Sequence, residues 1–224
     1  MMQSADGREL LDAFEVRVLA VLAEKEALTP DNYPLSLNAL TNGCNQLSSR
    51  DPVMAISEDT VQDVLQRLIQ KKLVNEVRQA GARVAKYEHR MRIKWVLEQD
   101  KLAVLAILML RGVQTAGEIR VRSGRLHEFA SVAEVEQALQ FLIDKFPPLV
   151  VRLARAPGTK EGRYAHLLSG EDVLERQEVA SSFSGAVDLP RQDRVTQLEA
   201  EVARLRSEVE RLSAQFESFR KQFD

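Results

Sequence analysis

A chain of 224 residues has room for two small domains of about 75–85 residues each and a tail. The hydrophobic share of 45% is ample for cores, yet no apolar run approaches the roughly 18 residues that a membrane-spanning helix needs. A formal charge of −2 argues against indiscriminate nucleic-acid binding, and the single cysteine, Cys44, excludes an internal disulfide and fits a reducing cytoplasm. The charge is unevenly spread. Residues 11–95 carry 12 Lys+Arg against 11 Asp+Glu, residues 96–170 carry 10 against 8, and residues 171–224 carry 8 against 12. The body is near neutral and the tail acidic, so the strongly basic footprint of a DNA binder is missing.

Residues 1–9 read as a flexible N-terminus without a basic-then-apolar signal pattern, so a cytoplasmic location is expected. Residues 10–26 carry Leu11, Phe14, Val18, Leu19, Val21 and Leu22 on helical spacing, and Pro30 and Pro34 end that helix. Ser36 caps a short second helix over about 37–41, which the pair Asn42-Gly43 closes as a turn. A polar loop, 45–51, and Pro52 lead to a third helix. There Val61, Val64, Leu65, Leu68 and Ile69 form one apolar stripe, with Ser57 as N-cap and Glu58 and Asp59 in the positive first turn. Beyond Lys72, the short apolar runs Leu73-Val74 and 84–87, split by Gln79-Ala80-Gly81, read as strand, turn, strand.

The unit then repeats. Residues 94–110 form a second long helical run, with Trp95, Val96, Leu102, Leu105, Leu108 and Met109, whose latter half repeats the first helix at an offset of 86. The short helix recurs over 115–123 at an offset of 79, and the third helix over 131–145 at 74, with 149–153 and 164–168 as strands. The falling offsets place two loop insertions in the first copy. A three-helix core whose last helix leads into a hairpin is a winged helix. The expected class is therefore mainly α with small β-hairpin wings (α+β): winged-helix domain 1 over 10–95, winged-helix domain 2 over 96–168, a polar linker over 169–192 and a coiled coil over 193–224.

In the tail, Val195, Leu198, Val202, Leu205, Val209, Leu212, Phe216, Phe219 and Phe223 alternate by 3 and 4. Val at a and Leu at d favour a parallel two-stranded coil, and Arg194 facing Glu199 and Glu201 facing Arg206 agree with it. A parallel homodimer is the expectation. The alternatives are a helix folded back on its own domains, or terminal phenylalanines docked on a partner.

Catalytic and metal chemistry find little support. His89, His127 and His166 lie far apart, phosphate-binding glycine loops and Gly-x-Ser-x-Gly are absent, and paired carboxylates sit at helix ends where the dipole explains them. No metal, cofactor, membrane or enzymatic activity is expected. The basic residues remain: Arg78, Arg83, Lys86 and Arg90 on the first hairpin, Arg120, Arg122 and Arg125 around the second short helix, and Arg155, Lys160 and Arg163 on the second hairpin. These could meet phosphates. Against them stand Glu58, Asp63 and Gln66 on one recognition helix and Glu134, Glu136 and Asp144 on the other, whose carboxylates would repel phosphate or, at best, accept from a cytosine amino group. Asn38, Asn42, Asn45 and Arg50 form a polar loop that reads either as turn chemistry or as a ligand contact.

Three blocks carry a family resemblance: LTPDNYPLSLNALTNGCNQLSSRDPV (28–53), RVAKYEHR (83–90) and LRGVQTAGEIRVRSGRLHEF (110–129). They resemble the YceH-like family over about residues 9–170, with Val113 standing where that family's block has a proline. The resemblance implies two winged-helix domains in a cytoplasmic bacterial protein and supplies no catalytic or binding residues. The leading expectation is a non-enzymatic, DNA-associated regulator, with double-stranded DNA and a second copy of the chain as partners. The alternative is a protein–protein adaptor that binds no nucleic acid.

Overall fold

The computed structural model describes residues 10–78, 84–154 and 161–170. All belong to the first of the chain's two units, Met1–Val179. The seam from Val195 to Phe219, the linker, the turn at 79–81, and Arg83, Arg155 and Lys160 lie outside the described residues.

Among the described residues the class is α+β. In chain order the elements are α1 (Ala13–Leu28), a 3-10 turn (Pro30–Asn32), β1 (Leu35–Ser36), α2 (Leu37–Cys44), α3 (Glu58–Gln70), β2 (Val74–Val77), β3 (Lys86–His89) and α4 (Met91–Trp95). Then follow α5 (Gln99–Arg111), β4 (Gln114–Thr115), α6 (Ala116–Ser123), α7 (Val132–Ile143), β5 (Val150–Leu153) and β6 (Arg163–His166). Each copy builds a three-stranded antiparallel sheet, in the orders β1-β3-β2 and β4-β6-β5. The offsets of 86, 79 and 74 recur between the starts of α1 and α5, α2 and α6, and α3 and α7.

The helices begin where local chemistry directs. Asp12 accepts from the Phe14 and Glu15 amides at 2.9 and 2.8 Å, while Glu15 Oε2 accepts from the Asp12 amide at 2.9 Å, a complete capping box. Ser57 caps α3 through the Thr60 amide, and Ser131 caps α7 through Glu134. Val61, Val64, Leu65 and Leu68 are buried and Ile69 packs against them, so the stripe of α3 faces the core.

α1 behaves differently. It is buried on all sides from Glu15 to Glu24 because α2 and α3 pack on one flank and α5 on the other. α5 is likewise buried throughout Leu102 to Leu110. One continuous apolar core thus runs through both copies.

Two expectations are corrected, and a short strand is added to each copy. The run 94–110 is not one helix: α4 ends at Trp95, Val96 takes a left-handed conformation (φ 50°), and α5 starts afresh after Glu98. A β-branched residue is poorly suited to that conformation, so its sequence gives no sign of the break. Asn42-Gly43 is not a turn but part of α2, which runs to Cys44. Gly43 is there for contact, since a Cβ would stand 2.7 Å from Val21 Cγ1 on α1. Finally, the two-residue strands β1 and β4 add a third strand to each hairpin, too short for any periodicity to announce.

Candidate functional site

The outward faces of α3 and α7 are exposed. α3 exposes Glu58, Asp59, Asp63, Gln66 and Gln70. Its one basic residue, Arg67, is turned to Asp12 at 2.7 Å and Glu15 at 3.3 Å, and Lys71 just beyond it reaches Glu15 at 2.8 Å. These pairs pin α3 to the start of α1 and withdraw its cations from the free face. α7 contains no Lys or Arg and exposes Glu134, Glu136, Gln137 and Gln140 with the half-exposed Val132 and Phe141. Beside Phe141 a groove of about 330 Å³ runs between α7 and the start of α5, with Phe129 and His127 in its wall. The Lys101 and Lys145 ammonium groups stand 5.3 and 5.0 Å from the Phe141 ring centroid, and Phe146 beyond the helix is 95% exposed. Both faces are acidic, and the second adds aromatic surface.

Of the seven described basic residues singled out by sequence, four are engaged within the fold. Arg78 pairs with Glu76 across one residue. Arg120 donates to the Phe129 and Ala130 carbonyls at 3.3 and 3.0 Å, bracing the loop before α7. Arg122 bonds Gln114 and lies 3.6 Å from Glu118, and Arg163 donates to the Val113 carbonyl at 3.4 Å. Lys86, in β3 opposite Ser36 and Val77, and the exposed Arg90 and Arg125 have no side-chain partner among the described residues.

The polar loop is brought together, but as scaffold. Asn45 donates to the Ile56 carbonyl and accepts from the Ile56 amide, both at 2.8 Å, and so closes the loop across eleven residues. Arg50 is buried, with a two-pronged bond to Glu24 at 3.0 and 2.6 Å and further bonds to the Gly43 carbonyl and Gln46. Asn38 donates to Glu58, and Asn42 to Asn38. Asn45 and Arg50 thus brace the loop, while Asn38 and Asn42 lie on α2 and bond side chains there, so Asn42 does not make the turn contact expected of it.

Sequence reasoning passed over three buried polar residues. Arg17 on α1 is 1% exposed and donates to the Cys44 and Pro52 carbonyls at 3.1 and 2.6 Å. Burial, and then the nearby Arg50 charge, lower its pKa. Glu24 is the carboxylate that Arg50 needs. His89 sets Nε2 3.2 Å from Glu26 while its Nδ1 accepts from the Met91 amide, which assigns the proton to Nε2. Burial alone would raise the Glu26 carboxyl pKa, but hydrogen bonding from His89 and then the Arg92 guanidinium hold it below the usual range. No signal local to 17, 24 or 89 could have shown these roles, since their partners lie far along the chain. Burial raises the Cys44 thiol to about 12, so it stays protonated. Among the described residues no group of three His, Cys, Asp or Glu side chains could hold a metal, and no helix is long and apolar enough to cross a membrane.

A family model described as "Protein of unknown function, DUF480" matches residues 11–159. The chain is 69% identical over 216 residues to a UPF0502 protein of Herminiimonas arsenicoxydans, covering 96% of this chain and 91% of that one. It is 52% identical over 193 residues to a UPF0502 protein of Chromobacterium violaceum, covering 86% of each. A UPF0502 protein of Geobacter sulfurreducens is 48% identical over 217 residues, 96% of this chain and 99% of its own.

Proposed function

We propose, for a chain that belongs to the DUF480 (UPF0502) family of bacterial proteins of unknown function, a non-enzymatic adaptor in which two winged helices present acidic faces to basic protein segments. Each copy has the parts of a winged helix: three helices, with a hairpin after the third and a short strand at its edge. In that fold the third helix is the one that enters a DNA groove.

The observation that carries the reading is the charge of those two helices. α3 exposes three carboxylates and no free cation, and α7 has no cation at all. Duplex DNA carries a negative charge about every 1.7 Å, and each like-charge pair at about 4 Å costs roughly 1 kcal/mol even in bulk water. The same faces attract Lys and Arg side chains. Phe141, half-exposed beside its groove, supplies the aromatic anchor around which protein contacts concentrate their energy.

The DNA-associated regulator is the second reading. It is favoured by Lys86 and Arg90, on the strand and corner of the first hairpin, which have no side-chain partners among the described residues. In either reading the heptad tail joins two copies, raising effective concentration at each face.

The test titrates the whole protein with a Lys/Arg-rich amphipathic peptide, an acidic peptide of the same length, and a random-sequence duplex at low and physiological salt. The adaptor reading expects binding of the basic peptide alone, weakened at least tenfold by Asp59→Lys with Asp63→Lys. Duplex binding that falls steeply with salt, and that is lost on charge removal at Lys86 and Arg90, overturns it in favour of the regulator.

A further inference from the structure

The strongest unassigned feature is a cleft of about 490 Å³ between the two copies. Its floor is formed by the C-terminal turns of α1 and α5, its sides by the loop after α2 and by the end of α6. That loop is fixed in place, because the Asp51 amide donates to the Leu110 carbonyl at 2.8 Å and Arg50 is buried behind it. The cleft is therefore a built feature and not a gap between mobile parts.

Its charge is unbalanced. Arg111, Arg122, Arg125 and Lys25 line it. Among the described residues the Arg111 and Arg125 side chains make no hydrogen bond or ion pair, while Arg122 bonds Gln114 and pairs with Glu118 at 3.6 Å yet stays one-third exposed. The carboxylates in reach are taken or exposed: Glu24 is held by Arg50 at 2.6 Å with Lys25 at 3.5 Å, and Asp51 faces solvent. The C-terminal dipoles of α1 and α5 each offset about half a charge, too little for four cations. Burial, then repulsion from Arg122 and Arg50, lowers the Arg111 pKa, and the weaker pull of Glu24 and Asp51 does not restore it. The other wall is apolar, with Leu28, Leu47 and Leu126, and Leu47 is 83% exposed as the fold stands.

We infer that this cleft binds a small organic phosphate, its phosphate oxygens on Arg111, Arg122 and Arg125 and its apolar or planar body against Leu28, Leu47 and Leu126. Guanidinium groups match phosphate oxygens two bonds at a time, and three of them suit a group of more than one negative charge better than a carboxylate. The volume falls in the range of small-molecule sites. The site lies apart from the outward faces of α3 and α7, so it would serve as an effector site whatever those faces contact.

The experiment is calorimetric titration of the full chain with ADP and with pyrophosphate at low salt, repeated with Arg125→Gln, Arg111→Gln and Leu47→Ala. The expected result is saturable binding of one ADP per chain, tighter than pyrophosphate. Arg125→Gln, at an exposed and unpartnered position, should weaken both probes at least tenfold without changing the melting temperature of the free protein. Leu47→Ala should weaken ADP alone. No saturable binding of either probe, or binding indifferent to both arginines, overturns the inference. Duplex DNA that depends on the same arginines while neither probe binds also overturns it. None of these outcomes touches the basic-peptide assay, so the two readings fail separately.

Discussion

Replacing Arg50 by methionine removes a guanidinium that is 6% exposed and holds the two Glu24 oxygens at 3.0 and 2.6 Å, the Gly43 carbonyl at 3.2 and 3.0 Å, and Gln46 at 2.9 Å. Methionine fills much of the same space, so the loss is chiefly of charge and hydrogen bonds. Glu24, itself 6% exposed, is left with Lys25 at 3.5 Å as its one remaining ion pair. Removing one partner of a buried pair costs about 3–5 kcal/mol, because the other charge stays behind unsatisfied. In a protein of this size each kcal/mol moves Tm by about 2–4 °C, so a fall of roughly 6–20 °C is expected. Thermal and urea unfolding read it. Glu24→Leu combined with Arg50→Met replaces the pair by apolar groups, leaves no orphaned charge, and should recover at least half of the loss. A loss under about 1 kcal/mol for Arg50→Met, or a double variant as unstable as the sum of the singles, would refute the reasoning and return Arg50 to the ligand role.

Gly43→Ala should destabilise by about 1–2 kcal/mol in urea unfolding, because crowding against Val21 at 2.7 Å outweighs the roughly 1 kcal/mol gain in helix propensity, and Val21→Ala should relieve it. His166 has its pKa pulled from 6.5 to about 4 by burial, so the unfolded chain takes up a proton that the folded one refuses. Its contribution is full above about pH 6.5 and declines as pH falls toward 4, by about 3 kcal/mol in total, and His166→Phe should flatten a stability profile over that window. Cys44, buried and pushed up to about 12, should resist a thiol reagent in the native protein and react at once in denaturant. Leu205→Lys should convert the protein to a monomer in light scattering, and a wild-type chain already monomeric at micromolar concentration removes the coiled-coil proposal.

What could be read from the sequence is whatever its neighbours along the chain decide. The α3 stripe, its Ser57 cap and the 74-residue repeat to α7 are local patterns, and they recur as buried faces and helix starts. What could not be read depends on distant partners. Nothing near position 17 says that an arginine there will be sealed under two carbonyls from 27 and 35 residues away. Arg50 looks like a free loop cation until α1 brings Glu24 beneath it from 26 residues away. Val96, a residue that local rules keep out of the left-handed region, takes it at the end of α4 and so hides the break before α5. The sequence puts Lys86 and Arg90 on the hairpin, but only the structure shows their side chains without partners among the described residues while Arg120 and Arg163 are engaged.

The duplicated helices also explain where the cleft comes from. α1 and α5 occupy the same position in the two copies, and each is buried all round because it serves its own core and the other's flank at once. When two equivalent helices pack on each other, their C-terminal ends are both brought to one region, and so are the cations that those ends recruit. Lys25 comes from one copy and Arg111 from the other, with Arg122 and Arg125 added by α6 and the turn that follows it. The second copy supplies the three arginines, and the first closes the cleft over them with Lys25, Leu28 and Leu47. An anion held there binds the folded pair of copies and not the unfolded chain. At a hundred times its Kd it should therefore add about 2.7 kcal/mol to global stability.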